Sequence, residues 1–332
     1  MSTSSPSITD FLIVLSESKR ILNSHSRHFL FLSVLFLLPL SFSFSSFPSL
    51  LSSSSSSSTT TTLLNSPPHH HHLRLRQFTL GETLAVIILF AGFALVASVC
   101  AIGSITYSVF HGFYDRPVKV GAAVKSLGGS FVRLAATLIA AEVLVGLIVV
   151  IFGGIGYLGI LGLGFEYGEV GFGCFVGVLG VGLLVVLMYV QVNWGLASVV
   201  VVLESKWGFK PLARSRYLIR GMRSVGFALA VFYGGFTGLL VWITVMSGET
   251  EFGGGDEEWK SWAFVVQIVV TSSILTLLLL HGIAANTVLY MYCKALHGEL
   301  AGEVAKDFAA EYVSLPYDDE KVFHDASVAP SC

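Results

Sequence analysis

Six stretches of this chain are apolar for far longer than a buried helix of a water-soluble domain requires: about residues 29–51, 82–109, 132–157, 172–203, 225–247 and 262–292. A helix rises about 1.5 Å per residue, so roughly 20 apolar residues cross a hydrocarbon core of about 30 Å. Each stretch has that length. The expected fold is all-α: a polytopic membrane bundle of six transmembrane helices, entered through short amphipathic elbow helices. The organisation expected is a leader over 1–28, a six-span domain over 29–293 and a tail over 294–332. The third and fourth spans are the least clearly divided, because only a Gly-rich link from Gly153 to Gly173, carrying Glu166 and Glu169, lies between them. One long re-entrant segment is the alternative. Two spans are preferred, since each half fills a bilayer alone.

Composition agrees. Only 12% of the residues are charged and the mean hydropathy is +0.77, whereas soluble domains carry about 25% charge. A net charge of −2 gives no reason to expect nucleic acid as a partner. The four cysteines, Cys100, Cys174, Cys293 and Cys332, form no CxxC pair and suggest neither a disulfide framework nor a metal knuckle. Cys100 and Cys174 read as packing residues. Cys293 abuts Lys294 at a membrane edge, a position that suits S-palmitoylation, although an unmodified thiol is the simpler expectation.

Lys and Arg alternate in step with the spans. The leader, the second loop with its margin, the fourth loop and the tail hold 16 of them; the other side holds 3, namely Arg74, Arg76 and Lys260. Basic residues stay in the cytosol, so both termini are expected there. The intervening loops differ in character. Residues 52–77 begin with a Ser/Thr tract and run through His69–His72, a low-complexity segment expected to be disordered. A four-His run without fixed geometry is expected to be a linker rather than a metal site. The loop Gly248 to Ser261 is acidic and Gly-rich. Asn65-Ser66-Pro67 fails as a glycosylation sequon. The leader, with Pro39 in the following span, reads as a signal anchor rather than a cleaved peptide. Asp10 and Glu17 disfavour a chloroplast transit peptide, leaving the endomembrane system or the plasma membrane.

Each basic segment has the pattern of an interfacial helix. In the leader, Ile8, Phe11, Leu12, Leu15 and Leu22 fall on one face. In the second loop Val120, Ala123, Val124 and Leu127 form a stripe, with Lys119 and Lys125 off it. In the fourth loop Leu212, Leu218, Ile219 and Met222 share one sector and Arg216, Arg220 and Arg223 the next. Arg214, Arg216, Arg220, Arg223, Lys119 and Lys125 are therefore candidate contacts for anionic lipid. Pro117 and Pro211 each stand 13 residues before a serine, Ser130 and Ser224. That spacing suggests a repeated unit of one elbow and one two-span hairpin.

Ionisable groups inside a bilayer are costly and mark candidate sites. Glu142 lies nine residues beyond Arg133 and so about 14 Å deeper. Gln191 and His281 sit at similar depth, each 13 residues from Glu204 and Lys294 respectively. With Asn193 and Asn286 they form a candidate intramembrane polar cluster, either an interhelical lock or a relay. The Gly-rich spans read as packing surfaces. No Walker loop, G-x-S-x-G or HExxH occurs, and no extramembrane segment is long enough for a catalytic domain. The chain is expected to be no enzyme, with no cofactor and no metal.

Several of these stretches carry a resemblance. Ser18-Lys19-Arg20-Ile21-Leu22, Tyr114-Asp115-Arg116-Pro117, Glu204 with Arg214-Ser215-Arg216-Tyr217-Leu218-Ile219-Arg220-Gly221, and Tyr290-Met291-Tyr292-Cys293-Lys294 together resemble a plant family of uncharacterised six-span membrane proteins. More distantly, the Glu204 to Gly221 pattern is similar to a bacterial membrane domain sometimes fused to glycerophosphodiester phosphodiesterases. The resemblance implies a membrane fold and assigns no catalytic residue.

The function expected is organisation of lipid or assistance to membrane trafficking, with membrane lipids as partners. The alternative is a transporter or channel using the polar cluster. The tail carries Tyr312-Val313-Ser314-Leu315, a tyrosine-based sorting pattern in which Tyr312 and Leu315 would enter two pockets of a cytosolic adaptor. The charge asymmetry generates a first test. Tags at residue 1, residue 332 and within 206–223 are expected to be reachable from the cytosol, and one within 55–65 is not. A C-terminal tag protected inside sealed microsomes would overturn this topology.

Overall fold

The computed structural model describes residues 8–47, 71–114, 120–163, 170–250 and 257–300. These residues are helical almost throughout, and no strand occurs among them. The elements in chain order are α1 (Ile8–Ser24), α2 (Ser26–Leu32), a π-helical turn (Ser33–Leu37), α3 (38–47), α4 (His71–Phe113), α5 (Val120–Leu163), α6 (Val170–Trp194), α7 (Ala197–Glu204), α8 (Lys210–Leu218), α9 (Arg223–Thr250) and α10 (Glu257–Leu296). Six helical segments are long and apolar enough to cross a membrane: Ser26–Phe47, Leu84–Phe113, Ala123–Gly162, Gly171–Glu204, Arg223–Thr244 and Val265–Leu296. The protein is a multi-pass membrane protein. The third and fourth spans are separate helices, and the single re-entrant segment is not formed.

α10 is the hub. Its inner half, Leu280, Ala284, Ala285, Val288, Leu289, Tyr290, Met291 and Cys293, is buried and meets α1, α4, α7 and α9 in one core. Ala284 and Ala285 keep the neighbouring backbones close, as small residues do in membrane bundles. α5 and α6 lie at the periphery, their outer halves exposing Val150, Leu158, Val178 and Val181. In a membrane such apolar exposure faces lipid.

Three departures from the sequence reading have physical causes. α1 is amphipathic, but its inward face centres on Val14, Ser18 and Ile21, while Leu12 is exposed. Spacing alone put Leu12 inward; packing against α9, where Phe11 meets Phe232 with ring centroids 6.0 Å apart, rotates the stripe. The second elbow is not a separate helix. α5 runs unbroken for 44 residues, about 66 Å, because nothing between Val120 and Arg133 stops it. α4 begins at His71, so residues 71–77 are helical rather than part of a disordered loop; the Ser/Thr tract lies outside the described residues. One cysteine reading also changes: Cys174 is exposed rather than packed, while the Cys293 thiol is buried.

Two spans carry a built-in irregularity. Pro39 has no N–H to give and would crowd the carbonyl four residues back. The π-helical turn immediately before it, in which Leu38 N–H donates to Ser33 O, widens the helix and relieves that crowding. The Ser41 and Ser43 hydroxyls donate to the carbonyls of Leu37 and Pro39 at 2.8 and 2.7 Å, and Ser41 also accepts from Thr276 of α10 at 3.0 Å. The fourth span breaks between α6 and α7 at Gly195. A Cβ there would lie 2.9 Å from the Gln191 carbonyl oxygen, closer than side chains tolerate. Gly195→Ala is therefore expected to destabilise the protein in detergent by about 1–3 kcal/mol, while Gly177→Ala, where a Cβ meets open space, leaves it unchanged. Equal melting temperatures for the two variants would show that the break is not imposed by Gly195.

Candidate functional site

The break creates a problem that the next helix solves. With the helix interrupted, the Asn193 carbonyl accepts from the Ser215 hydroxyl of α8 at 2.7 Å. Ser215 is fully buried. α8 is thus tied to the inside of the fourth span rather than simply resting on a membrane surface. Pro211 sits in its first turn, where a missing N–H costs nothing. Leu212, Leu218 and Ile219 face inward, as their spacing predicts, and Arg216, Arg220 and Arg223 face outward.

α7 ends at Glu204, followed by Ser205 in the left-handed region at φ 55°. The chain turns through Lys206, Trp207, Gly208 and Phe209, with Gly208 at φ 71°, a conformation glycine adopts without penalty. Arg133 of α5 braces this turn: Nη1 donates to Ser205 O at 3.1 Å while Nε and Nη2 hold Gly129 O. Trp207 and Phe209 project from it, 65% and 66% exposed, flanked by Lys206 and Lys210.

Beneath the turn lies a charged knot. The Glu204 carboxylate accepts from Lys206 Nζ at 2.7 Å, from Arg214 Nε at 3.3 Å and from the Tyr290 hydroxyl at 3.0 Å. Arg214 Nη2 donates in turn to Glu299. The side chains of Glu204 and Arg214 are only 11% and 21% exposed. Burial works against the Arg214 charge, but its bond to Glu299 and the nearby Glu204 outweigh it and raise the Arg214 pKa. Its guanidinium also lies over the Tyr217 ring, 5.5 Å from the centroid, and Lys294 lies 5.6 Å from that of Tyr290. The knot joins α7, α8, α10 and the start of the tail.

The basic candidates divide into two classes. Arg214 is engaged by two carboxylates, Glu204 and Glu299. Arg216, Arg220, Arg223 and Lys125 are exposed and have no hydrogen-bond or ionic partner among the described residues. Lys119, Tyr312 and Leu315 lie outside the described residues. The sequence pointed to the residues of the knot through their resemblance pattern, yet Glu204 and Tyr290 were not singled out as a pair. Only the packing of α7 on α10 brings them together.

The intramembrane candidates are not assembled. α5 and the fourth span run antiparallel, with Gly159 against Phe175, Gly156 against Leu179 and Leu134 packed with Val201. That register puts Glu142 level with about residues 192–193. Gln191 and Asn193 therefore share its depth, but none of the polar residues hydrogen-bonds another. Gln191 is exposed; the Asn193 amide donates to Tyr189 O at 2.7 Å; His281 Nδ1 pairs with Leu277 O of its own helix; Asn286 is half-buried on α10. Glu142 is exposed at the middle of its span and has no hydrogen-bond or ionic partner among the described residues. A charged side chain facing hydrocarbon there costs on the order of 3 kcal/mol.

The knot generates a stability test. Tyr290→Phe removes one hydrogen bond to a poorly exposed carboxylate and is expected to cost about 1.5–3 kcal/mol. The same change in a Glu204→Gln background is expected to cost much less. Additive losses by thermal unfolding in detergent would show that the two groups are not coupled.

No curated protein matches the chain, and no solved structure matches it. Residues 7–319, nearly the whole sequence, match a family described as a domain of unknown function, DUF8558, and the chain belongs to that family.

Proposed function

We propose that this is a non-enzymatic membrane protein that holds anionic lipid headgroups at its cytosolic face, and through them organises lipid or assists membrane trafficking. One observation carries the reading: Arg216, Arg220 and Arg223 are exposed and have no partner among the described residues, beside a knot in which Arg214 and Lys206 are already paired with carboxylates. Three free guanidiniums on one short stretch form a fixed anion-binding row, because guanidinium matches phosphate geometry and stays charged. The exposed Trp207 and Phe209 support it, since aromatic side chains settle at the headgroup level. The bias of Lys and Arg supports a cytosolic position for this face and both termini, and the membrane proposed is an endomembrane or the plasma membrane. A tail adaptor reading Tyr312 and Leu315 is compatible with a trafficking role. The transporter reading has less support, because Glu142, Gln191 and His281 form no hydrogen bond with one another.

The test uses the full-length protein. Changing Arg216, Arg220 and Arg223 together to Gln is expected to weaken retention of anionic lipid by about 1 kcal/mol for each, read by native mass spectrometry after exchange into mixed anionic and neutral lipid. The melting temperature is expected to hold. Unchanged retention of anionic over neutral lipid would overturn the reading.

A further inference from the structure

Hydroxyls join the first span to α10, where Ser41 accepts from Thr276. The two spans run in opposite directions, so the next turn beyond this bond brings Ser45 of α3 and Ser272 of α10 to one level. Both are buried, 5% and 3% exposed, and neither Oγ has a hydrogen-bond partner among the described residues. Thr106 Oγ1 of α4 and Asn193 Oδ1 of α6 share that condition, but each belongs to a different helix, whereas Ser45 and Ser272 share one seam. A cavity of about 10 Å³, room for about one water oxygen, lies beside Ser45. Its walls carry two further hydroxyls, Thr244 of α9 and Thr271 of α10, and no ionisable group. These threonines give their protons to the carbonyls of Leu240 and Gln267 at 2.9 and 2.7 Å, which leaves their oxygens to accept. The other walls are apolar, and two of them, Phe44 and Val241, are each 40% exposed and so also belong to the lipid-facing surface. Ser45 lies two residues from the end of the span Ser26–Phe47, and Thr244 ends the span Arg223–Thr244. The cavity is therefore close to the membrane edge.

We infer that this cleft binds one uncharged hydroxyl, carried by a water molecule or by a membrane lipid such as a diacylglycerol. The donors and acceptors select that group. A hydroxyl gives one proton and accepts others: its oxygen takes the Ser45 proton, and its own proton goes to Thr244 or Thr271. A carbonyl would leave both threonine oxygens without a donor. A phosphate or an ammonium would bring charge against walls that hold no counter-ion, which is costly away from water. The second unpartnered hydroxyl, on Ser272, marks the seam as a whole as short of hydrogen bonds, a condition that folded chains avoid. The cleft lies at the opposite end of the spans from the arginine row, and the inference does not rest on that row.

The experiment uses the full-length protein in liposomes and two probes. The first is a diacylglycerol with a photoreactive acyl chain, compared with the same lipid methylated at its hydroxyl. The second is water enriched in heavy oxygen, mixed in just before hydroxyl-radical footprinting, which marks residues beside a slowly exchanging bound water. A lipid hydroxyl is expected to give cross-links in 38–47 and 237–244 that the methylated lipid does not give. A bound water is expected to give delayed entry of heavy oxygen at Phe44 or Leu275. With whichever probe marks the cleft, Ser45→Ala is expected to weaken the signal about fivefold, as loss of one hydrogen bond implies, without lowering the melting temperature. Ser273→Ala, which removes an exposed hydroxyl tied to Val269 O, is expected to leave the signal unchanged. Failure of both probes to mark the cleft, or a Ser45→Ala signal as strong as wild type, would overturn the proposal.

Discussion

Hydrocarbon offers no partner to a backbone N–H or carbonyl, and every part of this fold depends on that constraint. It makes the described chain helical almost without interruption, and it fixes how the chain departs from a regular helix. Where Pro39 removes a donor, a π-helical turn and the hydroxyls of Ser41 and Ser43 close the gap within the same span. Where Gly195 breaks the fourth span, the Asn193 carbonyl is recovered by Ser215 from a different helix. The second solution has the larger consequence. It recruits α8, an element that the sequence presents as a surface helix, into the interior of the bundle.

That recruitment decides the fate of neighbouring arginines. Ser215 faces inward, so Arg214, one residue before it, is drawn toward Glu204 and Glu299, while Arg216, one residue after it, is turned outward. α8 thereby sorts identical side chains into structural and free. The structural arginine neutralises a carboxylate at the end of α7, where leaving either charge unpaired would be expensive. The others, Arg216, Arg220 and Arg223, are exposed and without a partner among the described residues. Anchored this way, the arginine row keeps a fixed position relative to the bundle, which a flexible basic loop would not provide.

Apolar length and charge placement made most of the architecture legible. The six spans, the division between the third and fourth, and the separate first and third elbows follow from runs and turns visible in the residues. The rotation of a helix about its axis was less accessible. Leu12 and Val14 of α1 are both apolar, and only contact with Phe232 and α10 selects Val14 for the core. The second elbow was expected as a separate helix because Pro117 repeats the spacing of Pro211, but Gly128 and Gly129 do not adopt positive φ and the helix passes through them. The knot was partly legible: a lone glutamate before an arginine-rich segment is visible, but the hydroxyl of Tyr290, 86 residues later, is not.

The polar residues within the spans show the same limit most sharply. Counting from a charged boundary gives depth, and depth was obtained: the register of α5 against the fourth span puts Glu142, Gln191 and Asn193 in one layer. A shared layer is not a shared site. Meeting requires that the helices be neighbours and that the side chains point into the same gap. Gln191 and Glu142 lie on neighbouring helices but are exposed to the surroundings, while His281 belongs to the central helix and spends its ring nitrogen on its own backbone. An acid left on the lipid face by this arrangement is neither a lock nor a relay within one chain.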